Sequence, residues 1–367
     1  MLAQAGNWPQ WRGPNNNGSA AETGLPDSCD PAKAKWMTPM PGASHATPIV
    51  WGERVFVTST DPASNGLLGM CVSARDGKIL WQKRLGDNIK APRNNGATPS
   101  PVTDGKLVCF LFGSGDLAAL DMDGNLLWTK NLVSQHGNLC TQFGYSSSPL
   151  LWDGKLFIQI LRRTKPYSGP AGTEQPLDSL ILAFDFLTGR ELWKHVRPSA
   201  ALNESLESYS TPVPFEFQNR KELLVQGGDC ISGHDPATGS ELWRVEYNPQ
   251  RETHWRLIPS PVTAGRRIMM ATPRGGPLLA LDAGATGKQT GRCQIAQDGA
   301  WRASPTGANG KIYVMSEQGE VVVVSAGPNG QILSRTDLAD GPACATISAA
   351  NQCLFIRTAG KLTCFGK

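Results

Sequence analysis

The sequence predicts an all-β protein, a seven-bladed β-propeller whose blades are four-stranded antiparallel sheets. Two recurring phrases predict this fold. A glycine is followed four residues later by tryptophan at Gly77/Trp81, Gly124/Trp128, Gly189/Trp193 and Gly239/Trp243. A second phrase, a small residue before proline, places prolines at positions 48, 99, 149, 212, 261 and 305. A repeat of roughly 40–50 residues with room for four strands is typical of a propeller blade.

Each repeat contains four short strands in a fixed order. The first begins at the proline phrase, and the second follows an Asp-Gly-Lys turn, as in "KLFIQIL". The third leads to a Thr-Gly turn, as in "LILAFD", and the fourth carries the tryptophan, as in "RELWKHV". Their alternation and β-branched content favour strands, and no sustained helical period is present.

The glycine and the tryptophan of the repeat have different predicted tasks. Glycine adopts a positive φ without a steric penalty and so permits the tight turn into the outer strand. The indole four residues later is large and flat. We expect it to lie between neighbouring blades, where it buries a large apolar area.

We call the proline phrase the anchor of a blade. It occurs six times, and a seventh, weakened copy is "ATISAA" at position 345, so the sequence predicts seven blades. The final repeat lacks a fourth strand, and the segment around Trp36, "KAKWMTPM", has the character of an outer strand that completes it. Eight blades is the alternative if further N-terminal strands form. We therefore predict an N-terminal extension over residues 1–35 that packs on a single propeller domain over residues 36–367, with a loop insertion at 162–179.

Charge and hydropathy exclude two classes of protein. The net charge is only +4 and the basic residues are dispersed, which gives no support for nucleic-acid binding. No apolar run approaches eighteen residues, so no membrane span is predicted. The "AQA" before Gly6 resembles the end of a secretory signal. We expect a periplasmic or otherwise extracytoplasmic protein with its signal peptide removed, and a monomer.

The nine cysteines include no adjacent pair. Cys71 and Cys109 lie in apolar runs and are expected to be small core residues. Cys353 and Cys364 flank a short predicted hairpin and could face each other across it. Sequence alone leaves open whether these two thiols form a disulfide.

The phrase A-x-D-x-x-T-G-x-x-x-W resembles the tryptophan-docking repeat of quinoprotein dehydrogenases, which use pyrroloquinoline quinone (PQQ). It is equally similar to the repeat of BamB, a non-enzymatic propeller lipoprotein of the outer-membrane assembly machine. The opening phrase "NWPQWRGPNNNG" resembles the start of PQQ-like-repeat propellers of planctomycete-type bacteria. The resemblance implies the propeller fold from Trp36 onward. Fold alone does not settle function.

The quinoprotein resemblance implies a vicinal disulfide, a Ca²⁺ held by Glu and Asn, and a catalytic Asp. This chain has no adjacent cysteines and no matching acidic cluster. No metal-ligand spacing links the five histidines, and no nucleophile motif appears. We therefore predict no catalytic residue, no metal site and no resident cofactor, with PQQ and Ca²⁺ as the lesser alternative.

The residues before each proline phrase are the candidate ligand-binding set, because they are expected at one mouth of the central channel. They are rich in aromatic, amide and guanidinium groups, which suit a planar or anionic small molecule, a sugar or a peptide segment. The alternative is that they plug the channel by bonding each other. The candidates are His45, Arg93, Asn94, Asn95, Tyr145, Tyr209, Trp255, Arg256, Trp301 and Arg302.

Three functions are compatible with this pattern. The first is a non-enzymatic binding or assembly scaffold, BamB-like in shape, that engages a protein partner. The second is a PQQ-dependent oxidoreductase, and the third is a carbohydrate-binding propeller in which indoles stack on sugars. The insertion at 162–179 is a second candidate surface, because its basic start and Tyr167 would suit a partner.

Overall fold

The first strand of the chain, β1 (Trp36–Pro39), completes the last sheet of the protein, as the sequence predicts. It pairs antiparallel with the final strand, and Trp36 lies opposite Cys364. In the computed structural model, the described residues are 6–139, 141–164, 176–273, 278–282, 288–293, 302–326 and 331–366. They form seven four-stranded antiparallel sheets, so the seven-bladed β-propeller is confirmed and the eight-bladed alternative is wrong.

The chain divides into two compact units, of which the first comprises Met1–Lys90, Asn94–Lys130 and Gly299–Lys367. This unit contains four blades. Its strands after β1 are β2 (Ile49–Trp51), β3 (Arg54–Asp61), β4 (Gly66–Ser73), β5 (Ile79–Asp87), β6 (Val102–Thr103), β7 (Leu107–Leu111), β8 (Asp116–Asp121), β9 (Leu126–Asn131), β22 (Thr306–Ala308), β23 (Lys311–Met315), β24 (Glu320–Ser325), β25 (Ile332–Asp337), β26 (Ser348–Ala350), β27 (Cys353–Arg357) and β28 (Lys361–Gly366).

The second unit comprises Ala91–Arg93 and Asn131–Asp298 and contains three blades. Its strands are β10 (Leu150–Trp152), β11 (Lys155–Ile160), β12 (Leu180–Asp185), β13 (Glu191–Val196), β14 (Val213–Phe217), β15 (Arg220–Gly227), β16 (Cys230–His234), β17 (Glu241–Glu246), β18 (Val262–Ala264), β19 (Arg267–Ala271), β20 (Leu278–Asp282) and β21 (Lys288–Cys293). Helix is confined to α1 (Leu132–His136) and two 3₁₀ turns, Pro31–Lys33 and Asn203–Leu206, among the residues described. None of the described helices is long and apolar enough to cross a membrane.

Within each unit, the hydroxyl residue of the proline phrase links one blade to the next. In the second unit, the Ser148 N–H donates to Thr211 Oγ1 (3.0 Å), and the Thr211 N–H donates to Ser260 Oγ (2.7 Å). Ser or Thr at this position therefore supplies a side-chain acceptor for a buried backbone donor of the preceding blade.

The same bond recurs in the first unit and corrects one repeat assignment. There it runs from Ser304 to Thr346 (3.3 Å), from Thr346 to Thr47 (3.2 Å) and from Thr47 to Ser100 (2.9 Å). The residue that takes part in the second blade is Ser100, so its anchor is Ser100-Pro101 and not the Thr98-Pro99 step counted from the sequence.

Replacing Thr211 with Val tests this linkage, because valine keeps the shape and removes the acceptor. We expect Thr211→Val to lower the free energy of unfolding by about 1.5 kcal/mol, since the buried Ser148 N–H loses its partner. Chemical denaturation followed by tryptophan fluorescence measures the change. Thr263→Val, on the half-exposed first strand of the next blade, is the matched control and should stay within about 0.5 kcal/mol. Equal losses in the two variants would contradict the linkage.

The indole of one blade packs on the glycine turn of the next. Trp36 donates from Nε1 to Ala74 O and Trp81 to Met122 O, both at 3.0 Å, and Trp193 donates to Pro236 O at 3.3 Å. A Cβ added to Gly77 would lie 2.7 Å from the Trp36 ring, and one added to Gly124 would lie 2.9 Å from the Trp81 ring. A Cβ added to Gly239 would lie 2.5 Å from the Trp193 ring. Glycine is needed here for its positive φ and also for the space that the ring occupies.

Trp128 has the same burial as the other indoles of the repeat. It lies on β9 at the predicted distance from Gly124 and is half-buried, as Trp81 and Trp193 also are. Leu126 and Leu127 of the same strand are 57% and 48% exposed, so β9 is a solvent-facing outer strand. The blade that follows belongs to the second unit, and the packing of Trp128 on that blade therefore stays a prediction.

Trp243 departs from the contact of an indole with the following glycine turn, since its indole donates to Glu222 Oε2 of its own blade at 2.6 Å. The ring still packs against a cluster of apolar residues from two blades, which includes Ile231 and Ile268. Gly189 has a φ of +68°, as the turn requires.

Residues 6–35 lie against strands of the first unit. Trp8 is fully buried and exchanges two backbone hydrogen bonds of 2.8 Å with Val50. A Cβ on Gly13 would lie 2.8 Å from the Trp8 ring, so the Trp and Gly of the opening phrase fit together. Further along, Tyr313 donates to Pro26 O, and Leu25 belongs to the hydrophobic core of this unit. The opening phrase therefore stabilises the fold.

Seven cysteines are free thiols, namely Cys29, Cys71, Cys109, Cys230, Cys344, Cys353 and Cys364. Cys71 and Cys109 are fully buried, in agreement with their predicted place in the core. Cys353 and Cys364 face each other as predicted, joined by a thiol hydrogen bond in place of a disulfide. That bond lowers the pKa of Cys353 to about 6, with Lys35 Nζ 3.7 Å from its sulfur, and it raises the pKa of Cys364.

Candidate functional site

In the second unit, several residues that precede first strands surround the ring of Phe143, a residue that the sequence did not single out. We call this group the Phe143 cluster. Its members are Arg93, Gln142, Phe143, Arg163, Glu204, Glu207, Tyr209, Trp255 and Arg256. Three of the predicted ligand candidates contact Phe143 directly, and Trp255 stands beside one of them in the sequence.

Phe143 is held between cationic and aromatic groups. The guanidinium carbon of Arg256 lies 4.4 Å from the ring centroid and that of Arg93 lies 5.5 Å away, both within range of a cation–π interaction. The Tyr209 ring lies 6.4 Å away and is tilted by 44°. Arg93 is exposed, and Phe143 and Trp255 are half-buried, so this part of the cluster is accessible from solvent.

The fully buried Glu207 is the acidic centre of the cluster. Its Oε1 accepts from Arg163 Nε, and its Oε2 accepts from the Tyr209 hydroxyl (2.6 Å) and the Gln142 N–H (3.0 Å). Burial and the neighbouring Glu207 charge raise the pKa of Tyr209, so its hydroxyl stays protonated and donates. The carboxylate is therefore compensated within the protein.

The other carboxylate of the cluster is also paired. Arg256 Nη1 donates to Glu204 Oε2 at 2.7 Å, and both side chains are mostly buried. Glu204 lies in the 3₁₀ turn Asn203–Leu206, whose Ser205 hydroxyl accepts from the Trp255 N–H at 2.9 Å. Two of the predicted ligand candidates are thus fixed by one short turn.

Two predicted candidates have structural contacts. Tyr145 is buried and donates from its hydroxyl to Gln159 O at 2.7 Å, and burial raises its pKa. Asn95 accepts from the Ala97 N–H at 2.9 Å through Oδ1, which is an Asx turn. These contacts account for both side chains without a ligand.

The remaining candidates belong to the first unit, except Trp301, which lies outside the described residues. His45 Nδ1 is 3.4 Å from Asn94 Oδ1, and burial lowers the pKa of the imidazole against the opposing effect of this contact. Arg302 Nε donates to Glu317 Oε2 at 2.7 Å. The charges of Glu317, Arg302 and the buried Arg357 all act on His45.

The basic start of the insertion is used internally. Arg162 is 2% exposed and donates to the carbonyl groups of His136, Gly137, Asn138 and Asp178. Arg163 pairs with Glu207. The interpretation of these two arginines as a basic surface for a partner is therefore wrong, and Tyr167 lies outside the described residues.

The Phe143 cluster does not fit PQQ with Ca²⁺. The fully buried Glu207 already accepts three hydrogen bonds, and Glu204 is paired with Arg256. The sequence also offers no adjacent cysteines to form a vicinal disulfide. We derive no chemistry through this cofactor.

Sequence reasoning missed Phe143, Gln142, Arg163 and Glu204. A usable signal for Phe143 was its place two residues before Tyr145, in the same phrase as the proline anchor. Arg163 was expected on the surface of the loop insertion, because the buried acid that it meets lies forty-four residues away in the chain. Such a pairing becomes visible only in three dimensions.

The fold and the Phe143 cluster together define a propeller-repeat protein in which the carboxylates of the cluster are paired with arginines of the same chain. The family described as outer membrane protein assembly factor BamB matches residues 29–165 and 227–341. The chain therefore belongs to this family.

Two curated relatives are enzymes by name. The chain is 26% identical over 197 residues to a polyvinylalcohol dehydrogenase of Sphingopyxis sp. (strain 113P3), an alignment that covers 53% of this chain and 29% of the relative. It is 27% identical over 205 residues to the polyvinylalcohol dehydrogenase of a Pseudomonas sp., covering 54% of this chain and 28% of that one. The chain thus spans less than a third of the length of these relatives.

Solved structures show the same fold at low identity. Quinohemoprotein alcohol dehydrogenase from Comamonas testosteroni superposes with a TM-score of 0.68 and 12% identity, covering 100% of this chain and 82% of that chain. BamB from Moraxella catarrhalis gives a TM-score of 0.51 and 17% identity, covering 91% and 86%. At these identities the similarity demonstrates the fold alone.

Proposed function

We propose that the protein is a non-enzymatic binding scaffold outside the cytoplasm, monomeric and BamB-like, which engages a polypeptide partner through the accessible part of the Phe143 cluster. The observation that carries this proposal is the internal pairing of Glu204 and Glu207 with arginines, which uses both carboxylates to hold the cluster together. The family description, an outer membrane assembly factor, supports a role in bringing proteins together.

The accessible part of the cluster has the composition of a protein-binding surface. Arg93 is exposed beside the half-buried ring of Phe143, and Trp255, which precedes Arg256 in the sequence, is also half-buried. Arginine and large aromatic residues are enriched at the centres of protein interfaces, where they supply most of the binding energy. The matching partner is a segment that carries apolar and acidic side chains.

Site-specific photo-crosslinking tests the proposal. A photo-reactive amino acid at Trp255 is expected to give a discrete protein adduct in cells that export the chain. The same residue at Leu187, which is 68% exposed on a Thr-Gly turn, is the control and should give none. Arg93→Glu should reduce the adduct several-fold, because it reverses the charge offered to the partner. Equal labelling from both positions, or none from Trp255, would contradict a binding role for the cluster.

A PQQ-dependent oxidoreductase is the second candidate, favoured by the similarity to two polyvinylalcohol dehydrogenases. Incubation of the purified chain with PQQ and Ca²⁺, followed by desalting, separates it from the first. We expect no retained quinone absorbance and no alcohol-dependent dye reduction. If the chain retained PQQ and oxidised an alcohol, the oxidoreductase function would replace the proposed scaffold function.

A further inference from the structure

A second group of polar side chains lies away from the Phe143 cluster, between two blades of the second unit. His195 is on β13, the outer strand of one blade. His234 ends β16 and Glu241 begins β17 in the next blade, where the two residues are paired across the strands. One ligand-type side chain from the first blade therefore meets two from the second.

The three side chains converge on one point. One nitrogen or oxygen atom from each lies within 4.8 Å of the others. The two imidazole rings are 5.0 Å apart and meet edge to face at 69°. Two imidazole nitrogens with a carboxylate oxygen are a ligand set that zinc and similar divalent ions accept. Metal–ligand bonds of about 2.1 Å in a tetrahedron require ligand atoms about 3.4 Å apart, so the side chains need only a small inward movement.

His195 also carries an unsatisfied atom. Its Nε2 is buried and has no hydrogen-bond partner among the described residues. A buried ring nitrogen without a partner is destabilising. Coordination to a metal ion is one way to satisfy its lone pair.

His234 is oriented as a metal ligand usually is. Its Nδ1 lies 3.1 Å from Gly239 O, to which it donates, and this bond directs the lone pair to Nε2. Nε2 lies 2.8 Å from Ser232 Oγ. That hydroxyl has a second acceptor in Val225 O at 3.4 Å, so it can turn away when Nε2 binds a metal.

Burial keeps both imidazoles in the neutral form that metals bind. It lowers the pKa of His234 to about 4 and also lowers that of His195, although the Glu241 charge opposes the shift of His195. The cationic groups that face the cluster are Arg197 and Arg244. Their repulsion of a cation should weaken binding to the micromolar range.

Glu241 can bind a metal and remain paired with Arg244. Its Oε1 accepts from Arg244 Nε at 2.8 Å and its Oε2 accepts from Arg244 Nη2 at 2.6 Å. Each carboxylate oxygen has a further lone pair, so a guanidinium can orient the group from the far side.

We propose that His195, His234 and Glu241 form a binding site for one divalent transition-metal ion of the zinc class, with water in the fourth position. The ion would join β13 of one blade to β16 and β17 of the next. Because it binds only the folded arrangement of these blades, it would stabilise the second unit.

Metal titration of the purified, metal-stripped chain tests the site. We expect equilibrium dialysis to show one Zn²⁺ per chain and a higher melting temperature with Zn²⁺ than with EDTA. Co²⁺ in place of Zn²⁺ should give visible absorption bands of a nitrogen- and oxygen-coordinated ion. His195→Gln should weaken Zn²⁺ binding about tenfold or more, since it removes the one ligand from the first blade.

Two further variants keep the result interpretable. Glu241→Gln should also weaken binding, which covers the case in which His195→Gln does not fold. His254→Gln changes an exposed histidine outside the cluster and should leave Zn²⁺ affinity unchanged. The proposal is overturned if the unmodified chain binds no Zn²⁺ at micromolar concentrations. Binding that is unchanged in both cluster variants overturns it equally.

Discussion

Replacing Arg197 with Met is expected to lower the free energy of unfolding by about 4 kcal/mol, since several buried acceptors lose their donor at once. Arg197 is 1% exposed and follows β13. Its guanidinium donates to the next blade, at Gly227 O (2.8 Å), Ser232 Oγ (2.9 Å), Cys230 O (3.1 Å) and Val225 O (3.3 Å). One side chain thereby joins an outer strand to the β15–β16 hairpin of its neighbour.

The partners of Arg197 explain why the loss should be large. Its guanidinium bonds backbone carbonyls, a hydroxyl and the Cys230 sulfur, so it acts here mainly as a multiple donor. Methionine fills similar space but donates nothing. Lysine donates from a single point and cannot reach the separated acceptors together, so Arg197→Lys should recover only part of the stability.

Denaturant titration followed by far-ultraviolet circular dichroism measures the effect. Arg75→Met is the matched control, because Arg75 pairs with Glu53 at a site where its side chain is 74% exposed. An exposed ion pair contributes at most about 1 kcal/mol, so this variant should unfold close to the parent. Similar midpoints for Arg197→Met and Arg75→Met would show that the buried donors do not join the blades.

Gly239→Ala is the second large effect, with an expected loss of about 3 kcal/mol, of which about 1 kcal/mol comes from the positive φ and about 2 kcal/mol from overpacking. Gly239 has a φ of +79°, and an added Cβ would lie 2.5 Å from Trp193 Cε3. The ring cannot easily retreat, since its Nε1 donates a hydrogen bond to Pro236 O and its centroid lies 5.9 Å from that of the tilted Phe157 ring.

Gly154→Ala separates the cost of the positive φ from the cost of overpacking against the indole. Gly154 has a φ of +70°, and no atom of the described residues lies within 4 Å of an added Cβ, so the substitution should cost about 1 kcal/mol from backbone strain alone. In a Trp193→Phe background, the smaller ring should reduce the cost of Gly239→Ala. Equal losses at Gly239 and Gly154 would mean that the indole does not require the glycine.

The repeat made the fold readable from the sequence. Gly77, Gly124 and Gly239 stand where a turn needs positive φ, and Trp81 and Trp193 follow at the spacing that carries them to the next blade. The same reasoning identified Trp36 as part of a completing strand. Local sequence patterns were sufficient to predict the fold because each blade repeats the same glycine turn and the same spacing to the tryptophan.

The proline anchor was less secure. "ATPSPV" offers two prolines, and only the bond between the Thr47 N–H and Ser100 Oγ identifies the second as the equivalent one. Local chemistry cannot show which of two similar steps, two residues apart, is equivalent to the anchors of the other blades. The contact with the neighbouring blade identifies it.

The sequence predicted the kinds of side chain at the candidate site better than it predicted which residues belong to the site. Arg93, Tyr209 and Arg256 do meet at Phe143, whereas Tyr145 and Asn95 complete hydrogen bonds of the fold. Sequence position showed which residues precede a first strand. It did not show that Glu207 would be buried and held by Arg163.

The sequence by itself determined the number of blades, their strand order and the use of an N-terminal strand to complete the last one, because periodic glycines, tryptophans and apolar runs act over a few residues. Only the tertiary structure decided which charges neutralise each other, and that His195 would meet His234 and Glu241. Such pairs join blades through side chains far apart in the chain. Their partners depend on packing between sheets, which local sequence does not encode.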